Sequence, residues 1–536
     1  MCELLHCTTV SVAIPLLYSG SLGNNKTSNM APKYRLQIAL FVFGLSLYLL
    51  TTGAYLDNPD GRSMYSVTRS LVLRHTIAIP VDERIDTLFE KPGRNDEVYS
   101  KYGLVQPILQ APLFWLGAVL TPTNERDGTE KAVSLFQAII SAFNLVAIWA
   151  FARDLFGVDV VALAVTLSYG FATMAWLYAT LTYSEPLLTL FLVLIVMLLH
   201  QTTGLHGKGA MWRMILAGTL MGVAILTKYA AVIYLPALFW YTWSLHSQNR
   251  RLIGYALGPL LVGLLLLAAY NYWRFANVFD TGYHIREYLR FPRPLWEGLF
   301  LALISPGKSI FLYAPPLFLA IISFRRFLTL QRRLAHCIAF MAVTSLLFYA
   351  VANPWVGAWS PGPRYHLPVV LLLMVAAGCL FGQWRSMRLA RKVGVLSVVG
   401  LGVLVQLVAV SINYADVLFL LQHMTVGQST WGVWLVDLAY APLLWQFYLL
   451  VSAIARDSLG IYLSYGIAQM DSVIHHDRSI DTLNYWFINY RGNDASTIII
   501  ALLVSATISL LTILRYFAPS LFNVKRISAS LRIAQE

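Results

Sequence analysis

The chain has 536 residues, 58% of them hydrophobic and 12% charged, with a formal net charge of +13. Soluble domains carry about 25% charged residues, so the composition excludes a water-soluble fold of this length and fits one solvated by a bilayer. The positive charge does not point to nucleic acid, because the basic residues form no patch with interleaved aromatics and fall in short clusters between apolar segments, as in the cytoplasmic loops of membrane proteins.

In chain order, residues 1–30 read as a disordered N-terminal extension. Thr8–Leu22 is apolar but short and broken by Pro and Gly, and Met30 stands as a natural start just before the first helix. The first span is Arg35–Leu56, and Lys26, Lys33 and Arg35 before it place the N-terminus in the cytoplasm. An external loop, 57–131, follows, rich in Asp and Glu. Within it Tyr102–Leu120, with Pro107 and Pro112, reads as an interfacial helix holding Phe114 and Trp115 at headgroup depth.

The later spans are Ala132–Ala152, Val158–Leu177, Pro186–His200, Met214–Leu226, Ala230–Leu245, Ile253–Trp273, Ile310–Phe324, Ala335–Ala352, Leu367–Phe381, Val393–Ile412 and Ile498–Leu514. This order sends the basic clusters at Arg153, Lys208/Arg213, Arg250/Arg251, Arg325–Arg333, Arg385–Lys392 and Arg515–Arg526 to the cytoplasmic side. The expected fold is therefore an all-α polytopic transmembrane bundle of about twelve spans with both termini inside. Residues 31–412 form its main module, 413–495 an external segment in which Val436–Ala455 is a second interfacial helix, and 496–536 the last span and tail. Met214–Leu226 is brief for a hydrocarbon core of ~30 Å at ~1.5 Å per residue. Lys228, at the helical break that follows, is expensive in lipid and so faces a watery cavity.

Four external features carry candidate chemistry. The first loop opens Asp57-Asn58-Pro59-Asp60-Gly61-Arg62-Ser63-Met64-Tyr65. A carboxylate at the bilayer surface can take a proton from an attacking hydroxyl or hold a divalent metal. Asn-Pro and Asp-Gly are equally ordinary turn dipeptides. The second is Ser360-Pro361-Gly362-Pro363-Arg364-Tyr365-His366, preceded by Trp355 and Trp359, where Arg364 can grip a phosphate with its planar fork or snorkel as an anchor. The third is the basic stretch His284, Arg286, Arg290, Arg293 and Lys308, placed outside against the usual bias; an anionic partner such as a lipid phosphate accounts for it, as do ordinary headgroups. The fourth is Glu185 in Tyr183-Ser184-Glu185-Pro186, facing the same cavity or serving its helix N-terminus. There is no P-loop, dinucleotide fingerprint or nucleophile elbow. His475-His476-Asp477 is poor metal spacing, and Cys2, Cys7, Cys337 and Cys379 suit neither a disulfide framework nor a zinc site.

The order of these features resembles a family. A first span and an acidic loop lead to Lys101-Tyr102-Gly103 before an apolar interfacial stretch; many spans, Ser305-Pro-Gly-Lys-Ser-Ile-Phe-Leu-Tyr-Ala-Pro-Pro316 and Trp359-Ser-Pro-Gly-Pro-Arg-Tyr365 follow. The set is similar to the GT-C superfamily of integral membrane glycosyltransferases, in the prokaryotic branch related to protein O-mannosyltransferases and the lipid A aminoarabinose transferase. The resemblance covers about Arg35–Leu514. It implies a polyprenyl-phosphate sugar donor, an acceptor protein, lipid or glycan, and transfer with inversion at the external face of the cell membrane. It also implies a catalytic Asp in the first loop. Asp60 matches that position best, with Asp57 as its rival, although the family often has Glu where Gly61 stands, which weakens any metal inference. Glu185, Lys228 and Arg364 match an acidic residue at the fourth span, a Lys at the short break and a basic residue near the carrier phosphate. Arg62, Tyr65, Lys101, Tyr102, His284, Arg286, Lys308 and Tyr365 complete the expected substrate-binding set. Two rival readings remain: a transporter or flippase for a lipid-linked or anionic substrate, whose polar residues would gather at the midplane, often in inverted repeats, and a non-catalytic scaffold that binds a protein through the first loop.

Overall fold

The structure, a computed structural model, describes residues 30–56, 58–86, 88–283, 294–352, 360–424, 430–455, 483–489 and 495–522. The N-terminal extension up to residue 29, Asp57, the His284, Arg286, Arg290 and Arg293 stretch, Trp355, Trp359 and the His475-His476-Asp477 run lie outside the described residues.

Helix is what an apolar chain in lipid must form, because its own backbone has to satisfy every N–H and C=O. Among the described residues, nine helices are long and apolar enough to cross a membrane: Tyr34–Thr51, Glu125–Phe156, Glu185–Gly204, Lys208–Thr227, Arg250–Phe275, Arg332–Val351, Arg364–Phe381, Leu389–Ser411 and Ala495–Phe517. The other three expected spans are interrupted helices. Asp159–Ala172 stops at Thr173, whose backbone is extended, before the short Ala175–Ala179. A 3-10 stretch, Tyr229–Tyr234, precedes Leu235–His246. Ile310–Tyr313 is cut from Leu317–Leu330 at Pro315 and Pro316, which have no N–H to continue a helix.

The brief span expected at Met214–Leu226 is corrected. The helix runs Lys208–Thr227, 20 residues, or roughly 30 Å at 1.5 Å per residue. Arg213 does not end it, because its guanidinium is buried and donates to Gln201 Oε1 and the Gly209 carbonyl. This helix packs on Arg250–Phe275 through small residues, Gly222 meeting Gly263 and Gly218 meeting Ala256, as close-packed membrane helices do.

The first loop carries more structure than its sequence advertises. Asn58 caps the helix Pro59–Arg74 by accepting from the Gly61 N–H at 2.8 Å. Pro59 sits at its start and Asp60 in its first turn, both favoured there. The Asp60 segment is thus a helix N-terminus and not a free turn. Three short strands, β1 (Ala78–Ile79), β2 (Glu90–Pro92) and β3 (Val98–Ser100), form an antiparallel sheet in the order β1-β3-β2, with Ala78 opposite Tyr99 and Glu90 opposite Ser100. Ser63 Oγ meets Ser100 Oγ at 2.8 Å, tying the helix to β3. The apolar helix Val105–Leu120 follows; its 16 residues span only about 24 Å.

The three interruptions and the first loop meet at one end of the bundle. The Tyr178 hydroxyl donates to the Pro361 carbonyl, the Tyr313 ring lies under Gly362, and Lys228 reaches Glu185. The largest buried cluster runs from Trp149, Phe151 and Leu371 up to Tyr178, Tyr183 and Tyr313 at this end. Outward faces such as Leu261 and Leu265 stay exposed, as lipid contact requires.

Candidate active site

Asp60 is set in place by its backbone. A Cβ on Gly61 would lie 3.0 Å from the Thr182 carbonyl oxygen and closer still to the Thr182 side chain. Asn58 Nδ2 donates to Thr182 Oγ1 at 2.8 Å. The helix start is therefore clamped against the turn that begins Glu185–Gln201. This accounts for glycine where the resemblance leads one to expect glutamate: no side chain fits between the two segments.

Arg364 comes from the opposite wall. Gly362, at φ +62°, makes the turn before it, and any Cβ there would meet the Tyr313 ring at 2.7 Å. Lys308, 1% exposed, donates from Nζ to the carbonyls of Ser360 and Gly362. The Lys308 ammonium is held well below its ordinary pKa, first by burial and then by the nearby Arg364 charge. Lys308 thus braces the loop that presents Arg364.

Four charged side chains then meet. Arg364 Nη1 donates to Asp60 Oδ2 at 3.0 Å. Arg364 Nε lies 3.6 Å from Glu185 Oε1, a charge contact too long for a hydrogen bond. Lys228 Nζ donates to the same Glu185 oxygen at 2.6 Å. The Glu185 side chain is 1% exposed, and its Oε2 has no hydrogen-bond partner among the described residues. Aromatic rings wall the cations: Tyr183 lies 4.3 Å from the Arg364 guanidinium, and Tyr365 lies within 5 Å of both Arg364 and Lys228. Tyr365 accepts from Arg364 Nη2 at 2.9 Å and stacks on Tyr349.

Burial alone would raise the Asp60 carboxyl, but Arg364, a hydrogen bond from Tyr102, Lys101 and Lys228 outweigh it and hold it below the ordinary carboxylate value. The same contacts act in reverse on their partners. Burial and Asp60 raise the Tyr102 hydroxyl, while burial lowers the Lys101 ammonium against the pull of Asp60.

Of the residues expected from sequence, Asp60, Lys101, Tyr102, Glu185, Lys228, Arg364 and Tyr365 are brought together, with Lys308 behind Arg364. Two expected substrate contacts do not join them. Arg62 is exposed and donates to the Leu56 carbonyl. Tyr65 turns away, its hydroxyl on Thr129 Oγ1 at 2.7 Å and its ring on Phe114. Both leave because residues two and five positions beyond Asp60 lie on other faces of the helix. Asp57, His284 and Arg286 lie outside the described residues. Sequence reasoning missed Tyr183, Tyr349 and Arg274. Arg274 is fully buried and donates to the Ser100 carbonyl at 2.6 Å, to the Tyr229 hydroxyl at 2.9 Å and to Asn271 Oδ1 at 2.8 Å. A basic residue at the loop end of an apolar helix was the available signal. Among the described residues no group of three or more His, Cys, Asp or Glu comes together as metal ligands, and both carboxylates at the cluster face cations.

Residues 106–273 match the model of the dolichyl-phosphate-mannose-protein mannosyltransferase family. Over those residues, about a third of the chain, the protein is similar to that family. The matched stretch holds Glu185 and Lys228 and ends one residue before Arg274; Asp60 and Arg364 lie outside it. No curated protein matches the chain. Two solved structures align with it. ArnT from Cupriavidus metallidurans bound to undecaprenyl phosphate has 16% identity and a TM-score of 0.44, over 92% of this chain and 78% of that one. The archaeal oligosaccharyltransferase AglB from Archaeoglobus fulgidus, in complex with an inhibitory peptide and a dolichol-phosphate, has 11% identity and a TM-score of 0.46, over 77% of this chain and 60% of that one.

Proposed function

We propose that this chain is a GT-C-type glycosyltransferase that transfers a sugar from a polyprenyl-phosphate donor to an acceptor hydroxyl at the external membrane face, with Asp60 as the base. The observation that carries this reading is the single arginine, Arg364, held at 3.0 Å from Asp60 and 3.6 Å from Glu185, with Lys228 on the far side of Glu185. It sets a proton acceptor beside two cations suited to a phosphate leaving group.

In the proposed reaction the acceptor oxygen attacks the sugar C1, and Asp60 takes the hydroxyl proton. The bond from C1 to the phosphate oxygen breaks, and the lipid phosphate leaves with the electron pair, inverting C1. Arg364 and Lys228 stabilise the charge that develops on the phosphate. Glu185 holds those two cations in position, and the aromatic walls of Tyr183 and Tyr365 keep water from them. The basic clusters at the opposite ends of the helices support an external position for the Asp60 end, where a lipid-held donor would present its head group.

The deciding assay is transfer from a defined polyprenyl-phosphate sugar, comparing wild type with Asp60→Asn. Loss of transfer in a folded variant supports the reading, and full activity removes Asp60 as the base.

A further inference from the structure

Arg364 stands in two roles that conflict. It is bonded to the carboxylate assigned as base, and it is the cation best placed for the donor phosphate. A carboxylate held by a guanidinium is a weak proton acceptor, because its charged form is already satisfied. We infer that the donor phosphate binds by drawing Arg364 away from Asp60, so that donor binding and release of the base are one event. The inference rests on the transfer reading above and adds an order of events to it: donor first, acceptor second.

Several features favour exchange at Asp60 over exchange at Glu185. The cluster holds two cations and two carboxylates, Arg364 and Lys228 against Asp60 and Glu185. The three guanidinium nitrogens of Arg364 already face Asp60, Tyr365 and Glu185, so a phosphate oxygen reaching that guanidinium must displace one of these contacts. The Glu185 side chain is the more deeply buried, 1% exposed against 13% for Asp60, and it keeps Lys228 at 2.6 Å. Asp60 has a second partner in the Tyr102 hydroxyl, so losing Arg364 does not leave it bare. Arg364 stays tethered in either state by Glu185, by the Tyr365 hydroxyl and by the Tyr183 ring. A small swing of the guanidinium therefore moves one bond, from Asp60 Oδ2 to a phosphate oxygen. The charged and titratable groups facing Asp60 are then Tyr102, Lys101 and Lys228, and its carboxylate becomes the better proton acceptor.

The test is binding of farnesyl phosphate, a prenyl phosphate with no sugar, to the full-length protein in lipid nanodiscs, with farnesol as the uncharged control. If Asp60 and phosphate compete for Arg364, removing the Asp60 charge strengthens phosphate binding. Asp60→Asn should bind farnesyl phosphate about ten-fold tighter than wild type, the size of one charge-assisted contact, with farnesol unchanged. Equal or weaker phosphate binding by a folded Asp60→Asn overturns the exchange. Should that variant not fold, an infrared difference spectrum of wild type on adding farnesyl phosphate decides: a shifted carboxylate stretch is expected, and no change overturns the inference. The two readings fail separately. Transfer retained by Asp60→Asn removes the base, whereas transfer lost without tighter phosphate binding leaves the base and removes the exchange.

Discussion

Two arginines at the same end of the bundle, Arg274 fully buried and Arg364 partly so, make different kinds of contact. Arg274 spends its guanidinium on neutral groups, the Ser100 carbonyl, the Tyr229 hydroxyl and Asn271, and among the described residues no carboxylate lies at ion-pair distance from it. Arg364 spends its guanidinium on Asp60 and Glu185. Carbonyls and amides fixed in a fold cannot leave, so Arg274 is a strut: it ties β3, and through it Lys101 and Tyr102, to the segment after Lys228. A carboxylate can be replaced by another anion of similar geometry, so Arg364 is a contact that a substrate can rearrange. On the proposed reading, the exchangeability of its partners is what separates Arg364 from a structural arginine such as Arg274.

The largest expected effect breaks the Arg364 side of this comparison. Asp60→Asn should lower kcat for sugar transfer about 1,000-fold, the middle of the range for losing a general base. The check is initial rate with saturating donor, together with a thermal unfolding curve showing that the variant is folded. Arg274→Gln in the same assay should retain measurable kcat and lose mainly thermal stability. Equal losses of kcat in the two variants would abolish the distinction.

The Glu185 pair comes next. Removing one partner of a buried ion pair leaves the other charge uncompensated, which costs about 3 kcal/mol. Glu185→Gln should therefore lower the unfolding midpoint sharply, because Lys228 and Arg364 both lose their shared anion. Replacing both partners, Glu185→Gln with Lys228→Met, should recover part of that loss, since the orphaned ammonium goes with its partner. A double variant less stable than the single one would mean that Lys228 is held by groups other than Glu185.

Much of this was legible in the sequence, for physical reasons. Apolar runs and basic clusters give helices and their direction, because lipid and the positive-inside bias act on composition. Nine of the expected spans coincide with helices long and apolar enough to cross a membrane. The three that do not are broken at Thr173, at Tyr229–Tyr234 and at Pro315–Pro316, and hydropathy averages over such breaks. Asp60, Glu185, Lys228 and Arg364 were each visible as charges out of place beside apolar segments. Their meeting was not visible, since it depends on Gly61 sitting against Thr182 and on Lys308 bracing Gly362. The sheet β1-β3-β2 was missed because strands of two or three residues carry no readable alternation. Arg62 and Tyr65 stand apart from the cluster because nearness in sequence is not nearness in space on a helix.

A smaller effect sharpens the strut. Arg274→Lys keeps the charge and loses the planar fork, so one ammonium cannot reach the Ser100 carbonyl, Tyr229 and Asn271 together. The expected cost is about 1–2 kcal/mol, one or two hydrogen bonds, read as a lower unfolding midpoint. Because Arg274 braces β3, KM for the donor should rise while kcat stays within about three-fold of wild type, the signature of positioning rather than chemistry. A kcat loss comparable to that of Asp60→Asn would move Arg274 into the reaction.

The smallest effect is a pH dependence of stability. The folded state holds the Asp60 carboxyl below its ordinary value, chiefly through Arg364 working against burial, with Tyr102, Lys101 and Lys228 adding to it. A depressed carboxyl binds fewer protons folded than unfolded, so its stabilising contribution is complete above the unfolded value, near 4. It fades as pH falls through the lowered folded value. Asp60→Asn lacks the titrating group and should lack this part of the acid limb. The stability gap between wild type and variant should therefore be constant from neutral pH down to about 5 and narrow below about 4. The check is the unfolding midpoint of both proteins across that range in nanodiscs of uncharged lipid. A gap that widens on acidification would mean that the folded state raises the Asp60 carboxyl, with burial outweighing Arg364, and the carboxylate would then be poised as a base before any donor arrives.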